Sequence, residues 1–94
     1  MEIETHLVLS TAHIAVTTAE LLDRWASMQP GSRPHSVATT DYGWFVSTYL
    51  LEHVATPTPT ELTAILEFAR GQGCAWVLLD RDGDTLAELP TFDW

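Results

Sequence analysis

Lysine is missing from this chain, and its four arginines face thirteen Asp and Glu, for a formal charge of -9. A surface of that sign repels phosphates at long range, which argues against direct binding to nucleic acid or to an anionic membrane. It suits a basic partner, although solubility alone would also account for it. Cysteine is nearly missing too. Cys74 has no second cysteine with which to form an internal disulfide, and by itself it cannot build a zinc site. No apolar run approaches the roughly 20 residues of a membrane-spanning helix. The opening Met1-Glu-Ile-Glu-Thr-His6 has neither the basic start nor the cleavage site of a secretory signal, so a cytoplasmic location is expected. There is no repeat, low-complexity tract or long linker, and the 94 residues fit a single domain spanning 1–94.

What is present is core material: 46% of residues are hydrophobic, including four Trp, three Phe and two Tyr, which excludes a disordered chain. Thr5 to Ser10 reads as a short buried strand. Leu21, Leu22, Trp25 and Met28 form an apolar stripe at helical spacing, which predicts a helix over residues 18–28. Thr17 or Thr18 would cap it, Glu20 suits its dipole, and Gln29-Pro-Gly-Ser-Arg-Pro34 would end it. β-rich runs at 35–40 and 44–51 flank Asp41-Tyr42-Gly43, a hairpin signal. After the stiff loop 56–60, Thr58-Pro59-Thr60-Glu61 offers a capping Thr, a Pro at the first helical position and a Glu at the third. The second helix, 60–72, carries Leu62, Ile65, Leu66 and Ala69 on one stripe, with Gly71 and Gly73 closing it. Residues 75–79 form a central strand, Asp82-Gly83 a turn, and 85–88 a short final strand or tail. The order predicts an α+β fold: a ferredoxin-like β-α-β-β-α-β two-layer sandwich with a short C-terminal extension.

Several groups of residues invite a chemical reading. Val77-Leu78-Leu79-Asp80-Arg81-Asp82-Gly83 resembles the nucleophile strand of haloacid-dehalogenase-type phosphatases. In those enzymes a first Asp attacks phosphorus, a second handles the proton, and both help hold magnesium. Asp84 breaks the spacing before Thr85, and the family's downstream lysine and carboxylates have no counterpart. The segment is therefore expected to be a strand with an Asp-Gly turn, and no catalytic residue is assigned. Read as a calcium loop from Asp80, the sixth and twelfth positions hold Thr85 and Thr91 instead of Gly and Glu. His6, His13, His35 and His53 show no metal-ligand spacing. No metal or other cofactor is expected.

Ser10-Thr-Ala-His13 follows the first strand, where α/β proteins often bind ligands. A nucleophile-base pair is one reading, and a Ser that turns the chain with a His that satisfies a carbonyl is the other. In a ferredoxin-like sheet the first and fourth strands run oppositely, which would place His13 and Asp80 at opposite ends. Trp25 and Trp76 fit core patterns, whereas Trp44 and Trp94 are less determined.

Leu7-Val-Leu-Ser-Thr-Ala-His-Ile14, the helix start Thr17-Thr-Ala-Glu-Leu-Leu22, Cys74-Ala-Trp-Val-Leu-Leu-Asp-Arg-Asp-Gly83 and the ending Leu89-Pro-Thr-Phe-Asp-Trp94 resemble a family of small uncharacterised proteins of bacterial plasmids, prophages and genomic islands. Asp84 departs from that family's simpler turn. The resemblance implies a mobile-element setting and no activity. Three functions follow. The first is a non-enzymatic acidic inhibitor, of the kind an anti-CRISPR or anti-restriction factor would be. It would bind a basic host protein or nucleoprotein complex through Asp80, Asp82, Asp84, Glu88, Phe92, Asp93 and Trp94. The second is a small enzyme or ligand-binding domain using Ser10-His13 or Asp80-Asp84. The third is a structural homodimer subunit whose open sheet face is buried by a copy of itself.

Overall fold

Alternate residues along the strands are withdrawn from solvent together. Leu9 on β1 (His6–Ser10), Val37 on β2 (Val37–Thr40), Val46 on β3 (Gly43–Ser47), and Val77 and Leu79 on β4 (Trp76–Asp80) lie in one core. Their two-residue period sets them on one face of the sheet. The helical stripes complete that core. Ala19, Leu22 and Trp25 come from α1 (Val16–Ser27), and Leu62, Ile65, Leu66 and Ala69 from α2 (Thr60–Gly71). The computed structural model describes residues 1–29, 32–33, 35–49 and 58–94. Pro30, Gly31 and Pro34 of the helix stop, the end of the 44–51 run, His53, and residues 56 and 57 of the stiff loop lie outside the described residues.

The mixed α+β architecture, with two α-helices and a four-stranded sheet among the described residues, is as the patterns predict; the strand connectivity is not. The order is β1-β4-β3-β2, with β1 parallel to β4 and the other two pairs antiparallel. The ferredoxin-like expectation had the first and fourth strands opposed. Here they are neighbours pointing the same way, with His6 opposite Trp76 and Ser10 opposite Asp80. The β2–β3 hairpin is confirmed, turning through Asp41 and Tyr42. A Cβ on Gly43 would collide with the Leu79 carbonyl, so glycine permits the hairpin's close approach to β4.

Both helix starts differ from the capping expectation. α1 begins at Val16 with Ala15 before it and no side-chain cap. Thr18 is buried instead, and its hydroxyl donates to the Glu61 carboxylate. α2 follows Pro59, again with no side-chain cap, and the Thr58 hydroxyl meets Nε2 of His35 at 3.2 Å. The side chains that local pattern assigned to capping are used in contacts between distant segments. The end of α2 follows the glycine reading. Gly73 adopts φ 82°, while Cys74 N–H donates to the Ala69 carbonyl at 2.9 Å. Among the described residues no helix is long and apolar enough to cross a membrane.

Candidate functional site

Because β1 and β4 are parallel, the Ser10–His13 segment and the carboxylate turn share one end of the sheet. This corrects the expectation that His13 and Asp80 would be kept apart, and it raises the question of whether they form a catalytic group. Their hydrogen bonds serve the backbone. Ser10 Oγ accepts from Ala12 N–H at 3.0 Å and caps a short 3-10 turn, Thr11–His13. Asp80 Oδ1 accepts from Asp82 N–H at 2.8 Å, and Gly83 N–H donates to the Asp80 carbonyl at 2.8 Å. The Asp-Gly turn is thus held by its own first residue. A Cβ on Gly83 would stand 2.7 Å from the Leu9 carbonyl carbon, so the turn can lie this close to β1 only with glycine there.

His13 is fully buried. Its Nδ1 lies 2.8 Å from the Pro90 carbonyl, which can only accept, and its Nε2 accepts from Leu86 N–H at 2.9 Å. The ring therefore carries its proton on Nδ1 and ties two points of the C-terminal segment to the 3-10 turn. More bonds extend this clasp. Ser10 N–H donates to the Asp84 carbonyl at 2.9 Å, Phe92 N–H to Ala12 at 2.8 Å, and the Trp94 indole to Ile14 at 2.9 Å. Leu89 is buried beneath the segment. Of the short strand or tail expected at 85–88, the tail is what forms, and Leu86 N–H bonds to the His13 ring rather than to a sheet ladder.

The residues anticipated as a binding surface separate by exposure. Asp82, Asp84, Glu88 and Asp93 are exposed, while Asp80 and Phe92 are half-buried. Trp94 is docked through its N–H yet 61% exposed. Asp80, Asp82 and Asp84 do not converge: among the described residues no three His, Cys, Asp or Glu side chains could hold a metal ion.

Pattern alone did not point to the residues beside this surface. The Arg81 guanidinium lies over the Tyr42 ring, 5.1 Å from its centroid, and the Arg81 backbone N–H donates to the Tyr42 carbonyl at 3.0 Å. Trp44 donates its indole N–H to Asp23 at 2.8 Å. With Thr11 and Trp94 these side chains line an open cleft of about 230 Å³. The hairpin signal located Tyr42, but only the pairing of β3 with β4 brings it to Arg81.

His35, elsewhere in the molecule, is buried between Trp25 and the start of α2. Burial lowers its pKa, the Tyr49 and Ser47 backbone contacts partly offset that fall, and the Arg70 charge lowers it further. Cys74 is half-buried against the core.

No curated protein and no solved structure gives a significant match to this chain. Residues 6–94 do match a family model described as the C-terminal domain of a family of unknown function, DUF5983, and the chain belongs to that family.

Proposed function

We propose that this chain is a non-enzymatic binding protein whose acidic C-terminal segment engages a basic surface of another protein. The carrying observation is the clasp. Asp82, Asp84, Glu88 and Asp93 stand exposed on a segment fixed by His13, Ala12 and Ile14. A fixed segment loses less conformational freedom on association than a loose tail. Its carboxylates would mainly speed encounter, through a field screened over about 8 Å at physiological salt. Trp94, anchored at its N–H with most of its ring open, suits an aromatic anchor that slows release.

The mobile-element setting implied by the resemblance narrows the partner to a basic host protein of defence or nucleic-acid handling in the cytoplasm. An anti-CRISPR or anti-restriction role fits such a partner. The enzyme alternative is weakened because Ser10, His13 and Asp80 each hold backbone groups of their own fold. Affinity capture from host lysate, run in parallel with the chain and with Asp82→Asn/Asp84→Asn/Glu88→Gln, tests the reading. A basic protein retained by the parent, and lost from the variant and at high salt, is expected. A partner held equally by both would overturn it.

A further inference from the structure

The sheet has a second face. Residues alternating with the core positions are His6 and Val8 on β1, Phe45 on β3, Trp76 and Leu78 on β4, and Ala38 on β2. Both helices contribute their buried stripes to the core on the opposite side. Val8 is 44% exposed, Ala38 is exposed, and Phe45, Trp76 and Leu78 are only half-buried. Sequence pattern had assigned Trp76 to the core with Trp25; Trp25 is buried, whereas Trp76 lies on this open face. The rings there are ordered against one another. His6 meets Phe45 edge-on at 5.5 Å, and Phe45 stacks on Trp76 at 4.9 Å. A contiguous apolar patch with preset rings is characteristic of an interaction surface.

Charge distinguishes between possible occupants. The Trp76 indole donates to the Glu4 carboxylate at 3.4 Å, which holds one acid at one end of the strip. Asp80 shares the face of Trp76 and Leu78 at the other end, with Asp82 exposed beside it. A second copy would bring the same carboxylates and another charge of -9. We infer that this face receives a basic amphipathic helix of the protein partner. The helix's apolar stripe would cover Val8, Phe45, Trp76 and Leu78, and its cations would reach Glu4 and Asp80. Trp76 to Asp80 spans about 13 Å of strand, the length of roughly nine helical residues. A helix there would convert the two-layer fold into a three-layer one. The inference rests on the proposed basic partner and adds a contact surface apart from the C-terminal segment.

The probe is a synthetic helical peptide with a leucine stripe and lysines on its flanks. It is compared with a scrambled peptide of equal composition and with a glutamate-for-lysine version. Titration into the isotopically labelled chain reads the four indole N–H signals and the backbone amides. The amphipathic basic peptide should move the Trp76 indole and the Val8 and Leu78 amides, and the other two peptides should not. Val8→Thr/Leu78→Thr, which places β-branched residues of good strand propensity at both positions, should weaken binding about tenfold or more. Glu4→Gln/Asp80→Asn should flatten its salt dependence, while Asp82→Asn/Asp84→Asn/Glu88→Gln should leave the apolar contact in place. Shifts confined to residues 82–94, equal binding of the acidic peptide, or no binding would overturn the inference. So would sedimentation showing a dimer whose formation protects Trp76. If the face binds the peptide while the acidic segment proves dispensable for capture, the proposal for that segment fails and this one stands.

Discussion

His13→Ala is the substitution whose consequence the geometry fixes most closely. The ring is fully buried, and each nitrogen bonds a backbone group of the C-terminal segment at 2.8 or 2.9 Å. Truncation leaves the Leu86 N–H and the Pro90 carbonyl without partners, at about 1–3 kcal/mol for each group that stays buried. It also removes the packing of an imidazole. Local opening would let water reach one of the two groups, so a total near 3 kcal/mol is expected. A domain of this size has roughly 5–14 kcal/mol of stability, enough for the core to survive the loss. Tm should fall by about 12–24 °C. The damage should also be local. Phe92 N–H, bonded to Ala12, and the Trp94 indole, bonded to Ile14, should exchange with solvent much faster, while amides of β4 exchange only as global stability dictates. His13→Asn, which keeps a donor and an acceptor on a shorter side chain, should recover part of the loss. Urea denaturation with hydrogen exchange on the same samples measures both effects. A loss under about 0.5 kcal/mol with unchanged Phe92 exchange would refute the clasp.

Other expected outcomes follow from single residues. Leu66→Ala, at a position 2% exposed in the core, should cost about 2–5 kcal/mol by urea denaturation. The His35 pKa lies below its ordinary 6.5 because of burial, so the unfolded chain takes up this proton at higher pH than the folded one. That contribution to stability is complete above about pH 6.5 and declines as pH falls below it. The drop in urea midpoint between about pH 7.5 and 5.5 should therefore shrink in His35→Gln. Phosphatase assays with magnesium should show no turnover above buffer. A rate abolished specifically by Asp80→Asn would restore the enzyme reading.

The helices were legible in the sequence because each carries a local apolar stripe: residues 18–28 and 60–72 were expected, and Val16–Ser27 and Thr60–Gly71 form. The strands through Leu7, Val46 and Val77 were legible for the same reason. Strand pairing was not, because nothing local to His6–Ser10 records that its neighbour is Trp76–Asp80. Thr18 illustrates the limit. Its hydroxyl matched a cap by type and position, but the approach of α2 gave it Glu61 as a partner. At the candidate site, the Asp-Gly turn and the histidine that satisfies a carbonyl could be read from residue type. The meeting of the two segments could not, nor could the exposure of Trp76, whose neighbours on the sheet depend on the strand order.

The central claim is that the exposed carboxylates of the clasped segment speed association with a basic partner. The most direct test is the association rate constant of the captured partner with the parent chain and with Asp82→Asn/Asp84→Asn/Glu88→Gln, measured across a range of salt. Slower association in the variant, a weaker salt dependence and a nearly unchanged release rate are predicted. Equal association rates at low salt would contradict the claim.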